Sequence, residues 1–214
     1  MSRIIDSGLE ELSATLQRMG ELAYHTVFKT LLECFENRDV YNQVREMSDI
    51  LISIADQVED KAFELIVRFQ PVASDLRTIK SYMKIAYDFA RFGRYALDIS
   101  STNKRMGGII NCEKWINSYI KEMGEKVLDM IKLSIDSLRC HNPQLAEKIS
   151  EKENEVDHMY FDFFDKLVEK ADNTTKCLVS SVLIVRYLER IADHATYIYE
   201  SIIYIATGQK VVLR

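Results

Sequence analysis

Proline and glycine are scarce, at 2 and 7 of 214 residues. A chain with so few breakers has few places to turn, and long helices are expected. No apolar run approaches the eighteen residues a membrane span requires, and the N-terminus lacks the basic-then-apolar order of a signal peptide. A cytoplasmic protein is expected. Basic residues are not in excess: the net charge of −5 counts against nucleic acid as the main partner, because counterion release needs a basic face. The four cysteines, Cys34, Cys112, Cys140 and Cys177, are far apart and include no Cys-x-x-Cys, so they suggest neither a zinc knuckle nor a redox pair. They read as reduced, structural thiols. A Gly-rich phosphate loop, a Gly-x-Ser-x-Gly elbow and a Cys–His signature are all missing, which leaves phosphoryl transfer and nucleophilic catalysis without a candidate site. No enzymatic activity is expected.

What is present is helical periodicity. Leu9, Leu12, Leu16, Met19, Leu22 (or Ala23), Val27, Leu31 and Phe35 recur at spacings of three to five residues and predict a first amphipathic helix from about Ile5 to Phe35. A second runs from near Asp39 to Phe69, where Gln70-Pro71 stops it. The third, with Pro71 in or near its first turn, reaches about Ile99, and Ser100 to Gly108 then breaks the pattern and marks a boundary. Three more helices follow: from about Cys112 to Leu138, then past a turn at His141-Asn-Pro143 to about Lys170, and from Thr174 to Thr207 with Gly208 as its stop.

The two halves repeat one another. Arg18-Met-Gly-Glu21 matches Glu122-Met-Gly-Glu125 at an offset of 104, and Ile85 to Ala96 matches Ile184 to Ala195 at an offset of 99. The expected architecture is all-α, six long helices in two tandem, internally duplicated three-helix bundles, residues 1–104 and 109–214.

Chemistry concentrates in the second half. Glu153 and Asp157, like Glu189 and Asp193, stand four apart, so each pair shares one helix face. Reflecting the chain about Asn173 sets Glu153 opposite Asp193 and Asp157 opposite Glu189. Like charges so placed repel, and either a cation or full solvation must offset them. The solvated reading assigns relief to Arg186, Arg190 and Lys152. At the matching places the first half carries Ala55, Glu59, Ala90 and Arg94, and there Asp56, Glu59 or Asp60 are expected to pair with Arg91 or Arg94. His158 and His194 follow the acids as surface or supporting residues, or as further ligands. A carboxylate-bridged di-metal oxidase would need two Glu-x-x-His motifs. Only Glu155-x-x-His158 is present, with Ala192 where the second His should stand.

Met19-Gly-Glu-Leu-Ala23, Gln70-Pro-Val-Ala-Ser-Asp-Leu-Arg77, Glu155-Val-Asp157, Arg186-Tyr-Leu-Glu-Arg-Ile-Ala-Asp-His-Ala195 and Thr207-Gly208 together resemble the PhoU family of phosphate-uptake regulators. The resemblance runs almost the whole length and implies two three-helix bundles. It further implies a metal motif of Glu or Asp, three residues, then Asp, which falls on Glu153, Asp157, Glu189 and Asp193. The metal would be a divalent or trivalent ion, iron in the first instance, with zinc, nickel, manganese or magnesium as alternatives. Ala55, Ala90 and Arg94 depart from the motif in the first half. The implied role is a cytoplasmic, homodimeric adaptor between a phosphate ABC transporter ATPase and a membrane sensor kinase, reaching the membrane only through these partners. A metal-free helical scaffold for another transport system is the alternative.

Overall fold

The structure is a computed structural model, and it describes residues 4–36, 38–140, 146–170 and 176–213. Six α-helices occur in order: α1 (Ile4–Glu36), α2 (Tyr41–Phe69), α3 (Ala73–Met106), α4 (Lys114–Cys140), α5 (Ala146–Lys170) and α6 (Lys176–Thr207). The predicted turns at His141-Asn-Pro143 and around Asn173 lie outside the described residues. Among the described residues there is no strand, and no helix is long and apolar enough to cross a membrane.

The periodic apolar positions become the core. Leu12, Leu16, Met19, Ala23 and Val27 of α1 face Val44, Leu51 and Val58 of α2 and Ile79, Ile85, Phe89 and Phe92 of α3, all buried. Helices α4, α5 and α6 pack on one another in the same way, with α1 against α4 and α3 against α6 joining the two bundles. The α3–α6 contact is the most extensive in the molecule.

Helix ends follow local chemistry. The chain leaves α2 through Gln70 in the left-handed region (φ 44°), whose N–H donates to the Ile66 carbonyl, and Pro71 blocks any continuation. Pro71 stands two residues before α3 rather than in its first turn. Gly208 takes φ 74° directly after α6, as expected of a C-terminal stop.

Two expectations are corrected. First, α3 does not end near Ile99 but continues to Met106. Ser100, Thr102 and Asn103 near its end are polar yet buried: Thr102 Oγ1 donates to the Asp98 carbonyl, and Asn103 Nδ2 donates to Cys34 Sγ at 3.1 Å. Buried polar groups replace the apolar stripe there, Ser100 Oγ and Asn103 Oδ1 without a hydrogen-bond partner, so periodicity fades while the helix persists. Second, the cysteines are not all free thiols. Cys112, in the loop after α3, is joined by a disulfide to Cys177, near the start of α6. Sixty-five residues separate the two in sequence, which no local spacing pattern reveals.

Candidate functional site

The four acids expected to bind metal lie on α5 and α6, two neighbouring helices. Glu153 and Asp193 are buried, at 8% and 5% exposure, Glu189 is half-buried, and Asp157 is exposed. Burial pushes the Glu189 carboxyl above the ordinary carboxylate range. Asp193 and Asp157 add to that rise, while Arg186 and Arg190 oppose it. Asp157, on the neighbouring helix, is the least of these influences on Glu189.

Two guanidiniums already serve this acidic patch. Arg186 Nη1 donates to Glu189 Oε2 at 2.7 Å, and Arg190 Nη1 donates to Asp193 Oδ2. Arg186 also lies 5.5 Å from the centre of the Tyr160 ring. Among the described residues no three His, Cys, Asp or Glu side chains are grouped so as to hold one metal ion. Carboxylates are the donor type that hard or borderline cations take, but these four are not gathered into one ligand set here. Any such cation would compete with Arg186 and Arg190 for the same oxygens.

The histidines part company. His158 is exposed. His194 is neither a surface residue nor turned to the acids: it is 5% exposed, and its Nδ1 lies 2.8 Å from Oδ1 of Asp88 on α3. Glu155, of the lone Glu-x-x-His motif, takes a hydrogen bond from Lys126 of α4 at 2.6 Å, and this holds its carboxyl below the usual range.

Sequence reasoning missed Tyr95. Its hydroxyl accepts from Arg91 Nη2 at 2.6 Å and also favours the charge of Arg190 in the other bundle. For Arg190, burial works against the charge, but Tyr95 and Asp193 outweigh it and leave the guanidinium more firmly protonated than usual. The 99-residue offset held the signal: it equates Arg91 with Arg190 and Tyr95 with His194. By the same rule Asp88 matches Tyr187, and Tyr95 stacks on Tyr187 as Asp88 meets His194. The two halves therefore meet about a pseudo-twofold axis lined by these four side chains.

The first bundle does not form its expected ion pairs. Arg91 turns to Tyr95, over whose ring it sits at 4.6 Å, and among the described residues no ion pair joins Asp56, Glu59 or Asp60 to Arg91 or Arg94. The Gln70 to Arg77 block, by contrast, meets Thr207-Gly208 in space. Arg77 Nη1 lies 2.7 Å from where a Cβ on Gly208 would stand, and its guanidinium is 5.9 Å from the Tyr204 ring.

A PhoU domain model matches residues 16–102 and 120–202, once in each bundle. A phosphate-specific transport system accessory protein PhoU homologue from Clostridium acetobutylicum is 34% identical over 99% of this chain and 98% of its own length. A homologue of the same description from Rhizobium meliloti is 31% identical over 95% of this chain and 87% of its own. The crystal structure of PhoU from Pseudomonas aeruginosa superposes with a TM-score of 0.88 at 25% identity, covering 96% of this chain and all of that one.

Proposed function

Because this chain belongs to the PhoU family, we propose that it is a non-catalytic accessory regulator of a phosphate transport system. The observation that supports this most directly is the similarity of nearly the entire chain, at 34% identity, to a protein described as a phosphate-specific transport accessory protein. We further read it as a cytoplasmic adaptor that touches a phosphate ABC transporter ATPase and a membrane sensor kinase, and that works as a homodimer. Two bundles packed through α1 against α4 and α3 against α6 suit such a role, since long helix faces offer contact area. Phe63 and Val67 on α2, and Phe161 and Val168 on α5, are exposed apolar side chains suited to partner contacts.

Metal association belongs to the same proposal. Glu153, Asp157, Glu189 and Asp193 would hold a divalent or trivalent ion, iron first among them. When bound, the ion would supply charge neutralisation and a cross-link between α5 and α6.

The test is a chromosomal deletion in the host with phosphate uptake and a phosphate-starvation reporter measured in phosphate-rich medium. Deletion is expected to release uptake or the reporter from repression, and the wild-type chain in trans to restore it. Unchanged uptake and reporter would refute the regulatory role. Recovery of the transporter ATPase with a tagged chain, from detergent-solubilised membranes, checks the adaptor reading separately.

A further inference from the structure

Between α2 and α3 of the first bundle lies a cavity of about 270 Å³, lined by Ala55, Asp56 and Glu59 on one side and Tyr87, Arg91 and Arg94 on the other. It occupies the place where the second bundle keeps its acids. The duplication makes the change explicit: Ala55 and Ala90 stand for Glu153 and Glu189, which hollows the site, and Arg94 stands for Asp193, which reverses its charge.

Arg190 pairs with Asp193 one helical turn on. Its twin Arg91 has the same geometry toward position 94 and finds a second arginine there. An acid–base pair has thus become two bases beside a void, with Asp98 further along α3 in electrostatic reach of both. Arg91 uses Nη2 on Tyr95 and lays its face on that ring, while its Nε is shut off from solvent with no hydrogen-bond partner. A buried guanidinium donor without an acceptor is costly, and a planar fork of N–H groups matches the oxygens of a tetrahedral oxyanion.

We propose that this cavity binds a small oxyanion of the phosphate or sulfate type, held by Arg91 and Arg94, with the anion standing where Asp193 stands for Arg190. Asp56 and Glu59 line the far wall and oppose the anion, which sets a modest affinity and discriminates against highly charged ligands. This site goes beyond the regulatory role and is independent of the metal proposal.

Isothermal titration of the full chain at low ionic strength, with inorganic phosphate and sulfate in separate runs and chloride as control, tests it. Saturable binding at one site per chain is expected for phosphate, for sulfate or for both; phosphate alone would mark recognition of its hydroxyl proton as well as its charge. Arg94→Ala, at an exposed position, is expected to weaken binding about tenfold through the loss of one charge-assisted contact. Arg91→Lys should do likewise, because it keeps the charge and loses the fork. Glu59→Gln should tighten binding. A response that chloride reproduces, or one that Arg94→Ala and Glu59→Gln both leave unchanged, would overturn the proposal. Neither result bears on the deletion experiment above, so the two readings fail separately.

Discussion

His194 Nδ1 of α6 and Asp88 Oδ1 of α3 lie 2.8 Å apart, joining the bundles where the two residues are only 5% and 1% exposed. Burial raises the Asp88 carboxyl above its ordinary range, and the bond to His194 and its charge oppose that rise. His194→Ala would strand this carboxyl in an apolar interface and is expected to cost about 3 kcal/mol of unfolding free energy at neutral pH. Adding Asp88→Asn to it should recover part of the loss. Urea denaturation of the two variants checks this, and a double variant less stable than His194→Ala would contradict it.

Gly20 and Gly124, the centres of the repeated Met-Gly-Glu motif, hold α1 and α4 together reciprocally. A Cβ on Gly20 would come within 2.8 Å of Ile135 and 2.9 Å of Phe89, and one on Gly124 within 2.9 Å of a Leu31 methyl. Leu31 and Ile135 are themselves equivalent at the 104-residue offset. Gly20→Ala presses on a fully buried ring and is expected to destabilise by about 1–3 kcal/mol. Gly124→Ala meets only the mobile end of a leucine. The helix propensity it gains, about 1 kcal/mol, should leave it near neutral. Melting temperatures of the pair decide the order.

Arg190 and a metal ion would compete for Asp193. If Glu153, Asp157, Glu189 and Asp193 hold metal, then Arg190→Gln should raise the metal retained after loading with iron, zinc or manganese, and Glu189→Ala/Asp193→Ala should abolish it. Elemental analysis of chelator-free protein is the readout. Equal and negligible metal in all three proteins would establish the acids as a metal-free patch balanced by arginine.

Cys34 is sealed in the first bundle, and burial is the main reason its thiol is pushed up to about 12. In the native protein a thiol reagent near pH 8 should therefore modify exposed Cys140 quickly and Cys34 hardly at all, until denaturant releases it. The sign of the pH effect follows. The folded state holds the proton to higher pH than the unfolded chain, so Cys34's contribution to stability is intact below about 9 and is lost as pH climbs toward 12. Cys34→Ala should flatten that alkaline decline, measured by denaturant midpoints across the range.

Much of this architecture was legible in the sequence because apolar spacing and scarce turn residues act locally. The duplication was legible too, and so was the alternation of acids on α5 and α6. Reading failed where the governing contacts are long-range. Asn103 gives no hint that it caps Cys34 from 69 positions away, so α3 seemed to stop early. The partner of Cys112 is fixed by the way α6 returns past the α3–α4 loop. Arg91 looked like an ion-pair donor for α2, yet Tyr95, one turn along its own helix, takes it instead.

Helix α6 contacts α3, α4 and α5 and follows all three in the chain. While it is still being translated, α3 shows its inter-bundle face, and α4 and α5 have no third helix to close their core. The nascent chain therefore carries a half-built second bundle until α6 has been read, and during that interval it is a substrate for chaperones and proteases. A nonsense or frameshift change within α6 would leave neither a shortened regulator nor a working single bundle. It would leave a chain marked for removal, so alleles truncated there should behave in the cell like complete deletions.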